Sequence, residues 1–370
     1  AVSGRRPQRR LIEEILDGAR EPEEVVDWGE HFMSGRRRFF GANLAAATIG
    51  PALLHEEAVV GAVCSPDERQ ILTWADKVAR LWNTADGTRV GPAMVHDGEI
   101  EAGAFSPDGQ HILTWSDTRT ARLWDAATGT PIPLAMTHDE RLRGARFAAG
   151  GRRVLTWSDD ATVRLWDVTR DDQAGPVFTH DGSVKGARFS SDGRHILSWS
   201  DDNTARLWDA DSGVPIGPAL AHDRVVWGAR FSHDERRILT WSLDGTARQW
   251  DANTGLPIGP RLSHDDVVLG AVYSPDGRRI LTWSKDGSAR LWDAVSGAMA
   301  APAFTHDDEV EGAGLAPDGR RVLTWGKDKT VRQWDTATGS ALGPALPHTY
   351  WPKGALYSTD GRRILSWDAA

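Results

Sequence analysis

Apolar residues along most of the chain come in short runs that alternate with polar turns. Between His180 and Ala221 the segments VKGARFS, HILSWS, TARLWD and VPIGPAL each predict a strand, because the runs are short and stop at Asp-Gly, Asp-Asp-Asn and Asp-Ser-Gly. Labelled a to d, the four strands recur. A histidine opens each copy, at His55, His96, His138, His180, His222, His264, His306 and His348, spaced 41 residues once and 42 thereafter. A period of that length built from four short strands predicts propeller blades, whereas helical repeats would show long stretches of 3.6-residue periodicity. Strand a is poor in bulk (Gly186, Ala187), as expected beside a crowded axis; strand d carries Pro215 and Pro218, which lack an N–H and suit an outer edge.

The stretch ILSWSDDNTARLWD, with a histidine 28 residues before its last tryptophan, resembles the WD40 repeat, and seven such copies from residue 55 to 346 span about four fifths of the chain. The resemblance implies an all-β WD40 propeller. It also implies that each blade holds a hydrogen-bonded set of histidine, strand-b Ser or Thr, b–c-turn aspartate and strand-c tryptophan. The matching sets are His180, Ser198, Asp202 and Trp208; His222, Thr240, Asp244 and Trp250; and His264, Thr282, Asp286 and Trp292. Asp160 and Asp328 serve the third and seventh copies, while the second departs, with Thr118 in place of the aspartate. A further departure is the strand-b tryptophan, at Trp74, Trp115, Trp157, Trp199, Trp241, Trp283, Trp325 and Trp367, where the family has a small residue. Strand alternation puts it on the face opposite the preceding Ser or Thr, so it is expected to pack against the neighbouring blade, with a ligand-facing aromatic ring as the alternative.

Strands a and b occur eight times and strand c clearly seven. Because ATIGPALLH at 47–55 matches LPIGPRLSH at 256–264, and RRRFFGA stands where a strand c would fall, the two ends together make one blade. The expectation is eight blades closed by pairing of N- and C-terminal strands, with seven as the alternative. Residues 1–36 read as a helical leader or linker and 37–370 as the propeller. In the leader, Leu11, Ile12, Ile15 and Leu16 form one apolar stripe, and Val25, Val26, Trp28 and Phe32 a second. A start at Ala1 and a stop within a repeat suggest a module of a larger protein, and the close internal similarity resembles bacterial WD40 chains.

Composition narrows the function. A net charge of −9 argues against a general nucleic-acid binder. No apolar run approaches the roughly 20 residues that span a bilayer. One cysteine, Cys64, forbids an intrachain disulfide and fits a reducing, cytoplasmic location; it takes a strand-a position held elsewhere by phenylalanine and reads as a buried, inert thiol. Eight of the twelve histidines sit at the repeat position, none of the others has metal-ligand spacing, and neither a phosphate loop nor a nucleophile elbow occurs. No cofactor or metal is expected. Aspartates and serines recur in register with the turns, as in Ser65-Pro66-Asp67, and arginine pairs such as Arg152/Arg153 and Arg236/Arg237 recur after the a–b turn, as a solvated, partly neutralised rim.

Positions that differ between near-identical copies are freed from the architecture. Five residues after each histidine, at the start of strand a, stand Val60, Glu101, Arg143, Lys185, Trp227, Leu269, Glu311 and Lys353. Neighbouring loop positions vary too, with Arg141, Arg224, Asp266, Asp308, Tyr350 and Trp351. Arginines and large aromatics of this kind dominate binding hot spots. The candidate partner site is therefore Glu101, Arg143, Lys185, Arg224, Trp227, Leu269, Glu311, Tyr350, Trp351 and Lys353. Arg146, Arg188 and Arg230 in strand a either make one sector basic, favouring an acidic peptide, or pair between blades. The function expected is that of a non-catalytic scaffold or sensor platform for a protein or peptide; the alternative is a small-molecule or enzymatic site in the axial channel.

Overall fold

The computed structural model describes residues 53, 55, 57–170 and 173–368. The leader and the strands expected between 37 and 52 lie outside the described residues, so the closing pair does as well. The chain divides into two compact units. The first holds the described residues up to Ala221 with Asn253–Gly255; the second holds His222–Ala252 and the described residues from Leu256 on.

In the first unit the chain runs through four antiparallel four-stranded sheets in the order a-b-c-d, at 61–95, 100–137, 142–179 and 184–221. In the second it makes three more, at 226–263, 268–305 and 310–347, followed by a two-stranded sheet of Pro352–Tyr357 and Ile364–Asp368. Numbered 1 to 8 in chain order, these sheets contain every regular element among the described residues. Each a–b hairpin turns on a residue with positive φ, glycine in six copies (as Gly193, 67°) and Glu68 (59°) or Glu235 (54°) in the others. An aspartate fastens that turn: Asp192 Oδ1 accepts the Arg194 N–H at 2.9 Å and the Ser190 hydroxyl at 2.6 Å.

The core lies between sheets. Leu113, Ala121, Leu123 and Met136 of sheet 2 pack with Leu142, Ala145, Phe147 and Val154 of sheet 3, and Leu239, Trp241 and Ala247 of sheet 5 pack with Val268, Ala271 and Ile280 of sheet 6. The strand-b tryptophan therefore packs on the next sheet, as expected. It does something else besides: in sheet 6 the Trp283 ring lies over Gly270, its cross-strand partner, so that a Cβ on that glycine would stand 2.0 Å from the ring. The same contact recurs at Gly186 under Trp199 and Gly228 under Trp241. Scarce bulk in strand a thus makes room for the indole. At ~25 cal/mol per Å² and roughly 200 Å² removed from water, each such ring contributes about 5 kcal/mol gross.

Neighbouring sheets are also joined at their polar ends. Arg237 Nη2 donates to Gly277 O at 3.0 Å and its guanidinium covers the Tyr273 ring. Tyr273 Oη donates to Gln249 Oε1 at 3.3 Å, and Gln249 Nε2 to Ala294 O at 2.7 Å. Gln333 and Tyr357 repeat the link between sheets 7 and 8 at 3.1 Å. The second arginine of the pair is therefore a joint between sheets rather than a free rim charge. On the outer side, turn glycines Gly213 and Gly297 press on Pro176 and Pro260 of the preceding sheet's d strand, closer than a Cβ would allow.

One expectation needs correction. Cys64 is exposed, not buried. Phe147 at the equivalent position joins the core shared with the preceding sheet, whereas among the described residues no sheet precedes sheet 1 to cover Cys64. The enclosure it does have, with the Glu68 carboxylate nearby, pushes its pKa up, away from a reactive thiolate.

Candidate partner-binding site

Strand a does not pair regularly at its start. In sheets 2 to 8 the register shifts by one residue there, for example between Val184, opposite Ser200, and Gly186, opposite Trp199. The residue left over at each β-bulge is Glu101, Arg143, Lys185, Trp227, Leu269, Glu311 or Lys353. A bulge frees one side chain from the alternation and re-aims it. Each of these seven is half-buried.

In the first unit the charged members are already paired. Arg143 Nε donates to Asp159 Oδ1 at 2.7 Å, and Lys185 Nζ lies 2.6 Å from Asp201 Oδ2. Each acid stands 16 residues after its base, at the first position of the b–c turn. Burial works against the Asp159 carboxylate, but hydrogen bonds from Arg143 and Ser183 hold its pKa below the usual range. Glu101 faces a like charge at that offset, Asp117, and pairs instead with Arg141 of sheet 3.

In sheet 7 of the second unit the signs reverse. Glu311 lies 3.5 Å from Lys327 Nζ, which also reaches Glu309 at 2.7 Å; against the cost of burial, those carboxylates hold the Lys327 pKa up. Trp227 and Leu269 pack half-covered on the edges of the cores between sheets 5 and 6 and between sheets 6 and 7. Arg224 is exposed, and its carbonyl accepts the Ser242 hydroxyl at 3.0 Å. Sheet 8 differs most. Tyr350 is 51% exposed, and Trp351 has the Lys353 ammonium 3.7 Å and the Lys327 ammonium 5.1 Å from its ring centroid. The sequence reading missed this coupling of bulge and turn, although it was visible: Arg143/Asp159, Lys185/Asp201 and Glu311/Lys327 change sign together.

The basic sector is not uniform. Arg188 lies over the Trp199 ring at 5.8 Å, and Arg230 Nη1 reaches Ala271 O of the next sheet at 3.5 Å.

Beneath the bulges lie the sets expected from the resemblance. His180 Nδ1 donates to Asp202 at 2.8 Å, Ser198 Oγ lies 2.7 Å from His180 Nε2, and Trp208 Nε1 donates to Ser198 Oγ at 2.8 Å. Sheets 3, 5, 6 and 7 repeat this through Asp160, Asp244, Asp286 and Asp328. Despite the cost of burial, the hydrogen bonds from His180 and Thr204 hold Asp202 far below the usual carboxylate range. In sheet 2 Thr118 Oγ1 turns to Ser116 Oγ at 2.7 Å, and among the described residues His96 Nδ1, though buried, has no partner. Matches to the family described as WD domain, G-beta repeat, cover residues 93–125, 175–209, 215–251 and 258–293.

The chain is a WD40-repeat protein. Each match ends on the Asp of the strand-c Trp-Asp pair and, in most copies, begins within the preceding d strand, so a WD40 repeat contributes one strand to one blade and three to the next. The fold is similar to the crystal structure of the computationally designed Ika8 protein, with a TM-score of 0.63 and 18% identity over 85% of this chain and 96% of that one. No curated protein matches the chain. Among the described residues no helix is long and apolar enough to cross a membrane, and no three His, Cys, Asp or Glu side chains are grouped to hold a metal. WD40 domains generally act as protein-interaction scaffolds.

Proposed function

We propose that this WD40 domain is a non-catalytic platform that reads a protein or peptide partner through its bulged residues, chiefly by aromatic and aliphatic contact. The observation that carries the reading is that a position that varies widely between near-identical blades is, in each of seven, the one a β-bulge re-aims. The ion pairs of Arg143 and Lys185 with Asp159 and Asp201 favour this over recognition of net negative charge. Half-covered Trp227 and Leu269 and the aromatics Tyr350 and Trp351 supply large contact area at little entropic cost. A reducing, cytoplasmic location remains the reading of the single cysteine.

The test is recovery of partners on the immobilised chain, comparing the native protein with Trp227→Ala/Trp351→Ala after circular dichroism shows both folded. Loss of a specific partner by tenfold or more is expected. Equal recovery by the double variant overturns the reading.

A further inference from the structure

We infer that the a–b hairpin of blade 3 is a binding site for a carboxylate supplied from outside the chain. Seven of the eight hairpins carry an aspartate at one position, from Asp67 to Asp360, and only blade 3 has glycine there, Gly150. In those hairpins the aspartate accepts the N–H two residues on, as Asp276 does from Arg278 at 3.1 Å and Asp360 from Arg362 at 2.9 Å. The cradle suits the charged form: hydrogen bonds from the Ser65 hydroxyl and the Arg69 N–H hold Asp67 below the usual carboxylate range although it is exposed.

In blade 3 the donor remains and the acceptor is gone. Among the described residues the Arg152 N–H donates to nothing. A Cβ built on Gly150 meets nothing within 4 Å. The space opens into a cavity of about 320 Å³ between the hairpins of blades 3 and 4, lined by Ala148, Gly150, Arg152, Arg153, Ser191 and Asp192 among others. Arg152 is bound to the Asp167 carboxylate but is 64% exposed at its side chain, leaving guanidinium N–H groups toward solvent. Two acids also line the opening, Asp167, which Arg152 binds, and Asp192, whose Oδ1 accepts from the Ser190 hydroxyl and the Arg194 N–H. An incoming carboxylate thus meets the Arg152 backbone N–H, in the place an aspartate side chain fills in every other blade, with the Arg152 guanidinium beside it. This site is at the far end of the strands from the bulged residues and does not depend on the platform reading.

The test is titration of the full chain, 15N-labelled, with acetate and with N-acetyl-aspartyl amide, each against chloride at equal ionic strength. A saturable shift of the Arg152 amide with a millimolar midpoint is expected, kept in Gly150→Ala and abolished in Gly150→Asp, which only restores what seven blades already tolerate. Severalfold tighter binding of the aspartyl amide assigns the site to an acidic side chain of a protein; equal binding assigns it to a free carboxylic acid. A shift that chloride reproduces, or that survives in Gly150→Asp, overturns the inference.

Discussion

Ala161 sits in the b–c turn of blade 3 with φ 65°, a left-handed conformation that Gly245 and Gly287 hold at the equivalent place with φ 77°. A Cβ there costs on the order of 1 kcal/mol, so Ala161→Gly is expected to stabilise the protein by up to about that amount, less the entropy glycine gains when unfolded. Urea titration measures it; a loss of stability would show that the turn does not impose this backbone. The same scale explains what could be read in advance. Tetrad members such as His222, Thr240, Asp244 and Trp250 were legible because hydrogen-bonded sets keep residue type at fixed spacing. The exposure of Cys64 was not, since the repeat pattern does not show which neighbours cover a strand-a position. The link between Arg143 and Asp159 was missed because the positions were compared singly rather than in pairs.

At the scale of the strand, glycine and tryptophan form one device. Gly270 gives its Cβ volume to Trp283, and the ring then reaches the next blade. Gly270→Ala puts a methyl 2.0 Å from that ring and is expected to cost about 1–3 kcal/mol, as overpacking does, with the indole fluorescence changed in the native state. Blade 2 departs from the device, with Ala102 opposite Trp115, while Gly103 on the other face gives room to Leu72 of blade 1, 2.7 Å from where a Cβ would stand. An unchanged unfolding midpoint for Gly270→Ala would show that the ring shifts freely. Strands were legible from alternation. The bulge was not, because one unpaired residue leaves the apolar pattern of strand a intact.

At the scale of the whole molecule, His96, His222, His264 and His306 and the aspartates of the tetrads act in one direction with pH. Burial lowers the pKa of His222, His264 and His306 in the folded state, and His96, buried and near Arg122, falls to about 4. A histidine whose folded pKa is depressed stabilises fully above its unfolded value near 6.5 and loses that contribution as pH falls toward the folded value; the aspartates held below 3.8 behave alike at lower pH. Stability is therefore expected to decline steadily below about pH 6.5, with His96 alone worth on the order of 3 kcal/mol between 6.5 and 4. Thr118→Asp gives His96 Nδ1 the acceptor it lacks and is expected to add roughly 1–2 kcal/mol at pH 7. It should also flatten the decline between pH 6.5 and 4. Thermal melts at pH 7 and 5 check both, and a variant as acid-sensitive as the native chain would refute the assignment.

Because each repeat supplies one outer strand to the blade behind it and three to the blade ahead, unequal crossing-over between near-identical copies would always splice whole units. A gain or loss of 42 codons would leave no sheet short of a strand. The Gln249–Tyr273 and Gln333–Tyr357 joints each link two adjacent units, so a crossover outside those pairs leaves both joints intact.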